Sequence, residues 1–419
     1  MPDKLQNDSI THTGFKNQWR LNIIFGLLVI MMASVFFSRI LLSVTMVLCV
    51  VAAIFHPEIR KQVKTFFNSP LLWGMSLLFF LPLISGLWSH DQKEWLEVIK
   101  IKVPLLLMPF AFAAPFEFSK KQWQVLAWIF ILFVTAATFW SMGHYIIDIK
   151  QVQENYLRSQ LMVTPMEDDH VRFSWMISMS ILIGSWLFFE KKKENKKNPW
   201  LLLVVIAWQI LFLHILAARM GLLSFYLMLL IAAAAFIFKN WRSGKGILLL
   251  SALLLLPVIA YFSLPTFQNR VKYFLYDLPY FSKGHYSPSM NDAVRVISLK
   301  AGWNVMNEHS LPGVGFGDVL NETKKWYAAN YPEMQEADKI LPSSEWLVYG
   351  DGCGWPGMIL FVAVLFIPLF ISVKKIKWLW ILLNASAVLS LFLDIGLEIQ
   401  FGVFLYSFLI LWWWKLGRE

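Results

Sequence analysis

Cysteines and charged residues are both scarce in this chain. The two cysteines, Cys49 and Cys353, lie far apart in the sequence, so no disulfide framework is predicted. No CxxC or HExxH pattern occurs, and we therefore expect neither a metal site nor another cofactor. Charged residues make up 15% of the 419 positions, whereas an ordinary soluble domain contains about 25%. This shortage of charge argues against a soluble protein.

Long apolar runs take the place of the missing charge. Hydrophobic residues make up 58% of the chain, and the mean hydropathy is +0.56. A helical run of about twenty apolar residues crosses roughly 30 Å of hydrocarbon. The sequence therefore predicts an all-α, polytopic membrane helix bundle with about twelve spans. The predicted spans are 21–37, 39–55, 71–88, 99–115, 123–146, 173–190, 199–217, 220–238, 246–264, 354–373, 377–393 and 398–414.

The distribution of basic residues orients these spans, because short cytoplasmic loops are rich in lysine and arginine. With both termini cytoplasmic, twelve spans place every short basic loop on the cytoplasmic side. These loops contain Arg60, Lys61, Lys64, Lys120, Lys121, the cluster 191–197, Lys239, Arg242, Lys245, Lys374, Lys375 and Lys377, followed by the terminal Lys415 and Arg418. Membrane lipids thus account for the net charge of +10, and no nucleic-acid partner is expected.

The same topology divides the chain into three parts. Residues 1–264 hold spans one to nine, residues 265–353 form a large periplasmic loop, and residues 354–419 hold the last three spans. Aromatic and cationic residues of the large loop suit sugar rings and phosphate, although aromatic residues also form membrane-interface belts. A shorter segment, 93–102, is expected to lie in the membrane interface with Lys100 or Lys102 near lipid phosphates.

Arg219 occupies a special place in the apolar pattern. The predominantly apolar stretch from Trp200 to Phe238 has 39 residues, which is about 58 Å of helix and so must turn once near its middle. Arg219 lies at that turn and hence near the external surface. A charge there requires a partner or an anionic ligand, unless it extends to the lipid headgroups.

The run Gly-Val-Gly-Phe-Gly at 313–317 carries a resemblance to a known family. It resembles the glycine signature of the O-antigen ligase and polymerase family, whose members use undecaprenyl-pyrophosphate-linked glycans. The segment around Arg219 is similar to a second family segment, and Arg295 matches the arginine that precedes the glycine signature. The span count and the order of these pieces also agree with the family.

One position departs from the family pattern. Before the next span the family commonly has a histidine that is proposed to be the catalytic base, and Ser343 stands in its place here. We therefore expect another group to accept the proton, with Glu345 placed best and Asp351, His309 and His170 as further candidates.

The resemblance implies a metal-independent, inverting glycosyltransferase in a bacterial inner membrane, with its active site facing the periplasm. The donor would be an undecaprenyl-pyrophosphate-linked glycan and the acceptor the lipid A–core oligosaccharide or another glycan. Arg219 and Arg295 would neutralise the leaving pyrophosphate, and Arg172 is a third candidate. The residues expected to bind substrate are Arg172, His170, His309, Gly313, Gly315, Gly317 and Asp351.

Other functions remain open from the sequence. A polysaccharide polymerase and a protein O-oligosaccharyltransferase of the same family share this chemistry but differ in their acceptor. A lipid-linked glycan flippase or transporter is an alternative of another class, and it predicts functional charges spread through the membrane interior. Asp394 and Glu398, at the external end between the last two spans, are expected to hold an arginine in position.

Overall fold

The computed structural model describes residues 2–193, 199–239, 244–283, 285–288, 290–371, 373 and 376–418, apart from the side chains of 2–17 and 281. Within these ranges the chain forms α-helices and short 3-10 turns without any β-strand, which confirms the all-α class.

The helices are α1 (Pro2–Phe37), α2 (Arg39–Ile54), α3 (Ile59–Phe67), α4 (Pro70–Ser85), α5 (Gln92–Lys102), α6 (Pro104–Phe112), α7 (Lys120–Ile147), α8 (Ile149–Tyr156), α9 (His170–Lys193), α10 (Trp200–Leu216), α11 (Arg219–Lys239), α12 (Gly244–Ser263), α13 (Pro265–Lys283), α14 (Asn291–Glu308), α15 (Val319–Asn330), α16 (Glu345–Phe370), α17 (Lys377–Leu393) and α18 (Gln400–Arg418). A 3-10 turn, Gly396–Glu398, joins α17 to α18.

The predicted spans fall on helices, although span 99–115 runs over the end of α5 and all of α6. Among the described residues, six helical segments are long and apolar enough to cross a membrane. These segments are Gln18–Phe37, Lys120–Ile147, His170–Lys193, Arg219–Lys239, Gly244–Ser263 and Glu345–Phe370. Helices α2 and α3 pass the same test as a pair bent by 112°, whereas α4, α10 and α17 are shorter apolar helices. The chain is therefore a multi-pass membrane protein, and the count of twelve spans stays a prediction.

Contacts between loops agree with the predicted sides of the membrane. Among the loops predicted to be cytoplasmic, Lys120 pairs with Glu190 at 3.0 Å. Among the external ones, Arg39 pairs with Glu167 at 2.5 Å. Within the described residues the loops thus gather at two ends of the bundle. Several basic positions of the predicted cytoplasmic loops, at 194–197, 242, 374 and 375, lie outside the described residues.

Two apolar helices show where the core and the lipid boundary lie. Every residue from Phe401 to Trp414 in α18 is buried, and the helix packs against α6, α9 and α17. In α12, by contrast, only 11% of the most apolar window is buried. A helix that is apolar on all sides needs either protein or lipid around it. Helix α18 therefore forms the centre of the bundle, while α12 faces the lipid.

Candidate functional site

The glycine run at 313–317 packs into a break in helix α16. The backbone at 353–354 leaves helical geometry, with Gly354 at φ 66°. Such a break frees carbonyl groups that need new partners. The amide of Val314 donates to the Asp351 carbonyl at 2.8 Å, and the amide of Gly315 donates to the Gly352 carbonyl at 3.0 Å. The run and the break therefore complete each other's hydrogen bonds.

On its other side the same run contacts the segment between α4 and α5. Gly313 and Gly315 have φ of 86° and 89°, a left-handed conformation that favours glycine. A Cβ at Gly315 would overlap the Ser89 hydroxyl, and one at Gly317 would overlap the Asp91 carbonyl. The Gly317 amide already donates to the Ser89 hydroxyl at 3.1 Å. These glycines were expected to bind substrate, but the structure gives them a packing role.

Arg219 begins α11 and pairs with the first turn of α14. Its guanidinium binds both oxygens of Asp292. The Arg219 Cζ also lies 5.7 Å from the centre of the Phe274 ring. Asp292 is held in turn, because its amide donates to Asp277 Oδ2 at 2.8 Å. The side chain of Arg219 stays 30% exposed. The external arginine predicted from the apolar pattern thus has a carboxylate partner and an accessible edge.

Asp394 links two further arginines of the prediction. One of its oxygens lies 2.8 Å from Arg172 Nη2, and the other lies 3.9 Å from Arg295 Nη2. Arg172 also pairs with Asp169 at 3.5 Å and donates to the Ile395 carbonyl at 2.8 Å. The side chain of Arg172 is 9% exposed and that of Arg295 is 39% exposed. The expectation that Asp394 holds an arginine is confirmed, and Arg295 is the more available of its two partners.

Arg270, on α13, adds a fourth cation to this group. Its guanidinium donates to the Ser159 hydroxyl at 2.7 Å, and that hydroxyl also accepts from the Asn291 side chain at 2.9 Å. Burial, together with the positive charge of Arg219, lowers the pKa of Arg270 to about 10. The guanidinium therefore stays charged at neutral pH. Nothing in the local sequence around Arg270 distinguishes it from the other cationic residues of the large loop.

His170 begins α9 after a left-handed turn. Met166, Glu167 and Asp168 have φ of 67°, 57° and 62° in succession, which costs about 1–2 kcal/mol per residue. The His170 Nδ1 lies 3.2 Å from the Asp168 carbonyl. A carbonyl oxygen can only accept, so Nδ1 carries the proton and Nε2 is the basic nitrogen. Arg295 lies within electrostatic range of this half-buried imidazole.

Glu345 occupies a buried cluster instead of an exposed one. Its side chain is 0% exposed, its Oε1 lies 3.5 Å from Lys102 Nζ, and its Oε2 accepts from the Leu397 amide at 3.0 Å. Lys102 is equally buried and pairs with Glu398 at 2.6 Å. Of the two lysines expected near lipid phosphates, Lys102 is buried and two carboxylates offset its charge, whereas Lys100 is exposed. Glu398 was expected to hold an arginine, and it holds this lysine.

The remaining candidates have different surroundings. His309 is exposed and ends α14 as its C-cap residue, while Asp351 is buried beside Gly302. Ser343, at the position of the family's histidine, is bonded to the Ser298 hydroxyl at 2.8 Å. Ser343 is thereby linked to the helix turn of Arg295, because the Ser298 hydroxyl also donates to the Arg295 carbonyl at 2.8 Å. The partners that sequence analysis missed, Asp169 and Lys102, required knowledge of how distant segments meet.

Comparison with known proteins identifies part of this arrangement. Residues 201–362 match the family model described as O-Antigen ligase. The matched range includes Arg219, Arg295 and the glycine run, but His170 and Lys102 lie before it. No curated protein and no solved structure is significantly similar to the chain. This match confirms, over residues 201–362, the resemblance to the O-antigen ligase family that the arginines and the glycine run carry.

Proposed function

We propose that this protein transfers a glycan from an undecaprenyl-pyrophosphate carrier to a hydroxyl of the lipid A–core oligosaccharide, at the periplasmic face of a bacterial inner membrane. The acceptor oxygen bonds to the anomeric carbon as the bond from that carbon to the pyrophosphate oxygen breaks. Direct attack inverts the anomeric configuration. The reaction needs cations for the leaving pyrophosphate and a base for the acceptor proton, and needs no metal.

The observation that carries this proposal is the convergence of four arginines from separate segments, namely Arg172, Arg219, Arg270 and Arg295. The hydrogen-bond and ion-pair partners of these arginines satisfy them unequally. Arg172 is buried and fully paired, whereas Arg295 is 39% exposed and has only a 3.9 Å contact with Asp394. A planar guanidinium with free donors binds phosphate in a bidentate manner. Arg295 is therefore the principal pyrophosphate contact, with the exposed edge of Arg219 as the second.

His170 is the proton acceptor in this proposal. Its Nδ1 is fixed by the Asp168 carbonyl at 3.2 Å, which leaves Nε2 available. Its half-buried ring lies on the same side of the bundle as Arg295. Glu345 was the first choice from sequence, but its carboxylate has no exposed surface and already binds Lys102 and the Leu397 amide. An acceptor sugar can reach the imidazole more readily than that carboxylate.

Arg295→Ala and Arg295→Lys test the clamp. In detergent-purified protein given a synthetic undecaprenyl-pyrophosphate glycan and lipid A–core, we expect the alanine variant to lose most transfer and the lysine variant to recover part of it. The reason is that lysine restores the charge but not the bidentate fork. Lys300→Ala is the matched control, because Lys300 is exposed on the same helix. Near-parental transfer by Arg295→Ala at equal expression contradicts the proposal.

The acceptor is identified by the glycans of a deletion strain. Loss of a ligase leaves polymer on the lipid carrier and none on lipid A–core, whereas loss of a polymerase leaves single repeat units attached. Loss of a protein O-oligosaccharyltransferase removes glycan from proteins only. Purified protein that moves the donor across a vesicle membrane without transferring it is a flippase and overturns the enzymatic proposal.

A further inference from the structure

The turn formed by Asp394–Glu398 lies between the arginines and the buried lysine cluster. On one side Asp394 binds Arg172 and Arg295, and the Ile395 carbonyl accepts from Arg172. On the other side, the backbone of Leu397 and the side chain of Glu398 form hydrogen bonds with the buried lysine cluster. One short turn is thus in contact with two charged clusters that do not touch each other directly in the described residues.

Lys102 and Glu345 supply the contacts on that second side. Lys102 Nζ donates to the Leu397 carbonyl at 3.1 Å and to Glu398 Oε1 at 2.6 Å. Glu345 Oε2 accepts from the Leu397 amide at 3.0 Å. Both polar groups of the Leu397 backbone are therefore fixed by side chains from α5 and α16. These two helices are more than 240 residues apart in the sequence and come into contact only in the folded chain.

Aromatic rings and carboxylates surround the ammonium group of Lys102. Its ammonium lies 5.4 Å from the ring centre of Phe316 and 5.0 Å from that of Tyr349. Lys102 and Glu345 are both 0% exposed, and Glu398 is 7% exposed. A buried ion pair contributes little net stability compared with apolar residues of the same volume. Its directional contacts fix a backbone position, which an apolar cluster does not do.

We propose that Lys102 and Glu345 are positioning residues for the pyrophosphate clamp, and this inference rests on the proposed function. They hold the backbone of Leu397, the turn holds Asp394, and Asp394 sets where the guanidinium groups of Arg172 and Arg295 lie. Misplacing a binding group by about 1 Å costs roughly 100-fold in rate. The position of the turn therefore controls transfer although neither residue meets the substrate.

The variant Lys102→Met/Glu345→Gln tests this role. It removes one positive and one negative group, so the net charge of the cluster is unchanged, but the Glu398 carboxylate loses its 2.6 Å partner. We expect kcat/KM for the donor to fall roughly 10- to 100-fold, mainly through a higher KM, together with a lower melting temperature because Glu398 is left unpaired. Lys100→Met, on the exposed side of the same helix, is the control and should transfer like the parent.

A double-mutant cycle with Asp394→Asn separates positioning from general loss of structure. If the cluster acts through the turn, Asp394→Asn should cost much less in the Lys102→Met/Glu345→Gln background than in the parent. Additive effects, or transfer within a few-fold of the parent, overturn the inference. Glu345→Gln alone keeps an acceptor for the Leu397 amide and should cost only a few-fold. A loss of 100-fold or more at unchanged donor KM would instead identify Glu345 as the base.

These outcomes are distinguishable from failure of the proposed function. If the parent itself transfers no glycan, the proposed function fails. The positioning role is then measured by binding of undecaprenyl pyrophosphate, which the double variant should bind more weakly than the parent and Lys100→Met. Equal binding by all three proteins overturns the positioning role.

Discussion

The imidazole of His170 is fixed at one nitrogen and open at the other. We expect His170→Gln to lower kcat by about 100- to 10,000-fold, because a proton-transfer group contributes rate of that order. Binding of the donor should change little, since the arginines remain in place. Steady-state kinetics with lipid A–core as acceptor measure both values. His285→Gln is the control, because His285 is exposed in the predicted external part of the chain.

A His170→Gln enzyme with kcat within a few-fold of the parent would show that the base lies elsewhere. The other candidate bases from the sequence, Glu345, Asp351 and His309, are then the next to be replaced. Glu345→Gln should be measured beside His170→Gln, because loss of the base lowers kcat strongly whereas loss of a positioning contact raises the KM for the donor.

At the level of single residues, the sequence predicted which cations matter better than it predicted which acids hold them. Arg219 is conspicuous because a charged side chain within a long apolar stretch is costly unless it has a partner or reaches the membrane surface. Lys102 and Glu345 gave no such signal, since each lies near the end of an apolar run where charged residues are common. Their pairing depends on α5 and α16 meeting in the bundle, and one sequence contains no record of that contact.

At the level of elements, the glycine run packs against the break in α16, and we expect this packing to stabilise the fold. Gly315→Ala should lower stability by about 2 kcal/mol or more, since alanine is strained at φ 89° and its Cβ would overlap the Ser89 hydroxyl. Thermal unfolding in detergent measures the change. Gly143→Ala is the matched control, because nothing lies within 4 Å of a Cβ at Gly143, in the helix α7.

If both alanine variants melt alike, the run is not packed as described and a direct role of its glycines in substrate binding returns. The sequence predicted a turn at this run, as any glycine-rich stretch does. It did not predict that the run would donate to carbonyls freed within a membrane helix. That arrangement depends on two segments, 313–317 and 351–354, which each look like an ordinary turn when read alone.

At the level of the whole molecule, the two ends of the bundle should differ in accessibility. We expect single cysteines at Ser282 and Asn330 to react with an impermeant maleimide added to intact spheroplasts, and one at Lys121 to react only after lysis. The native Cys49 and Cys353 are buried, so the parent should give little background. Mass-tag labelling measures the reaction. Labelling of positions 282 and 330 only after lysis would contradict the predicted orientation.

Asn195, in the basic cluster, is a second position for the cytoplasmic reporter, although it lies outside the described residues. The segment predicted to form one large external loop contains α13, α14 and α15, so it is mostly helical. Hydropathy separates polar from apolar segments well but does not reveal packing among polar helices.

The mutual dependence of the glycine run and the α16 break limits how such proteins can exchange parts. A chimera that received only the external segment of a relative would place foreign amides against the carbonyls of Asp351 and Gly352, and a foreign turn against Ser89. The natural unit of exchange therefore joins the end of α4, the external segment and the first turns of α16. A chimera with those boundaries would receive the external segment together with the residues that pack against it.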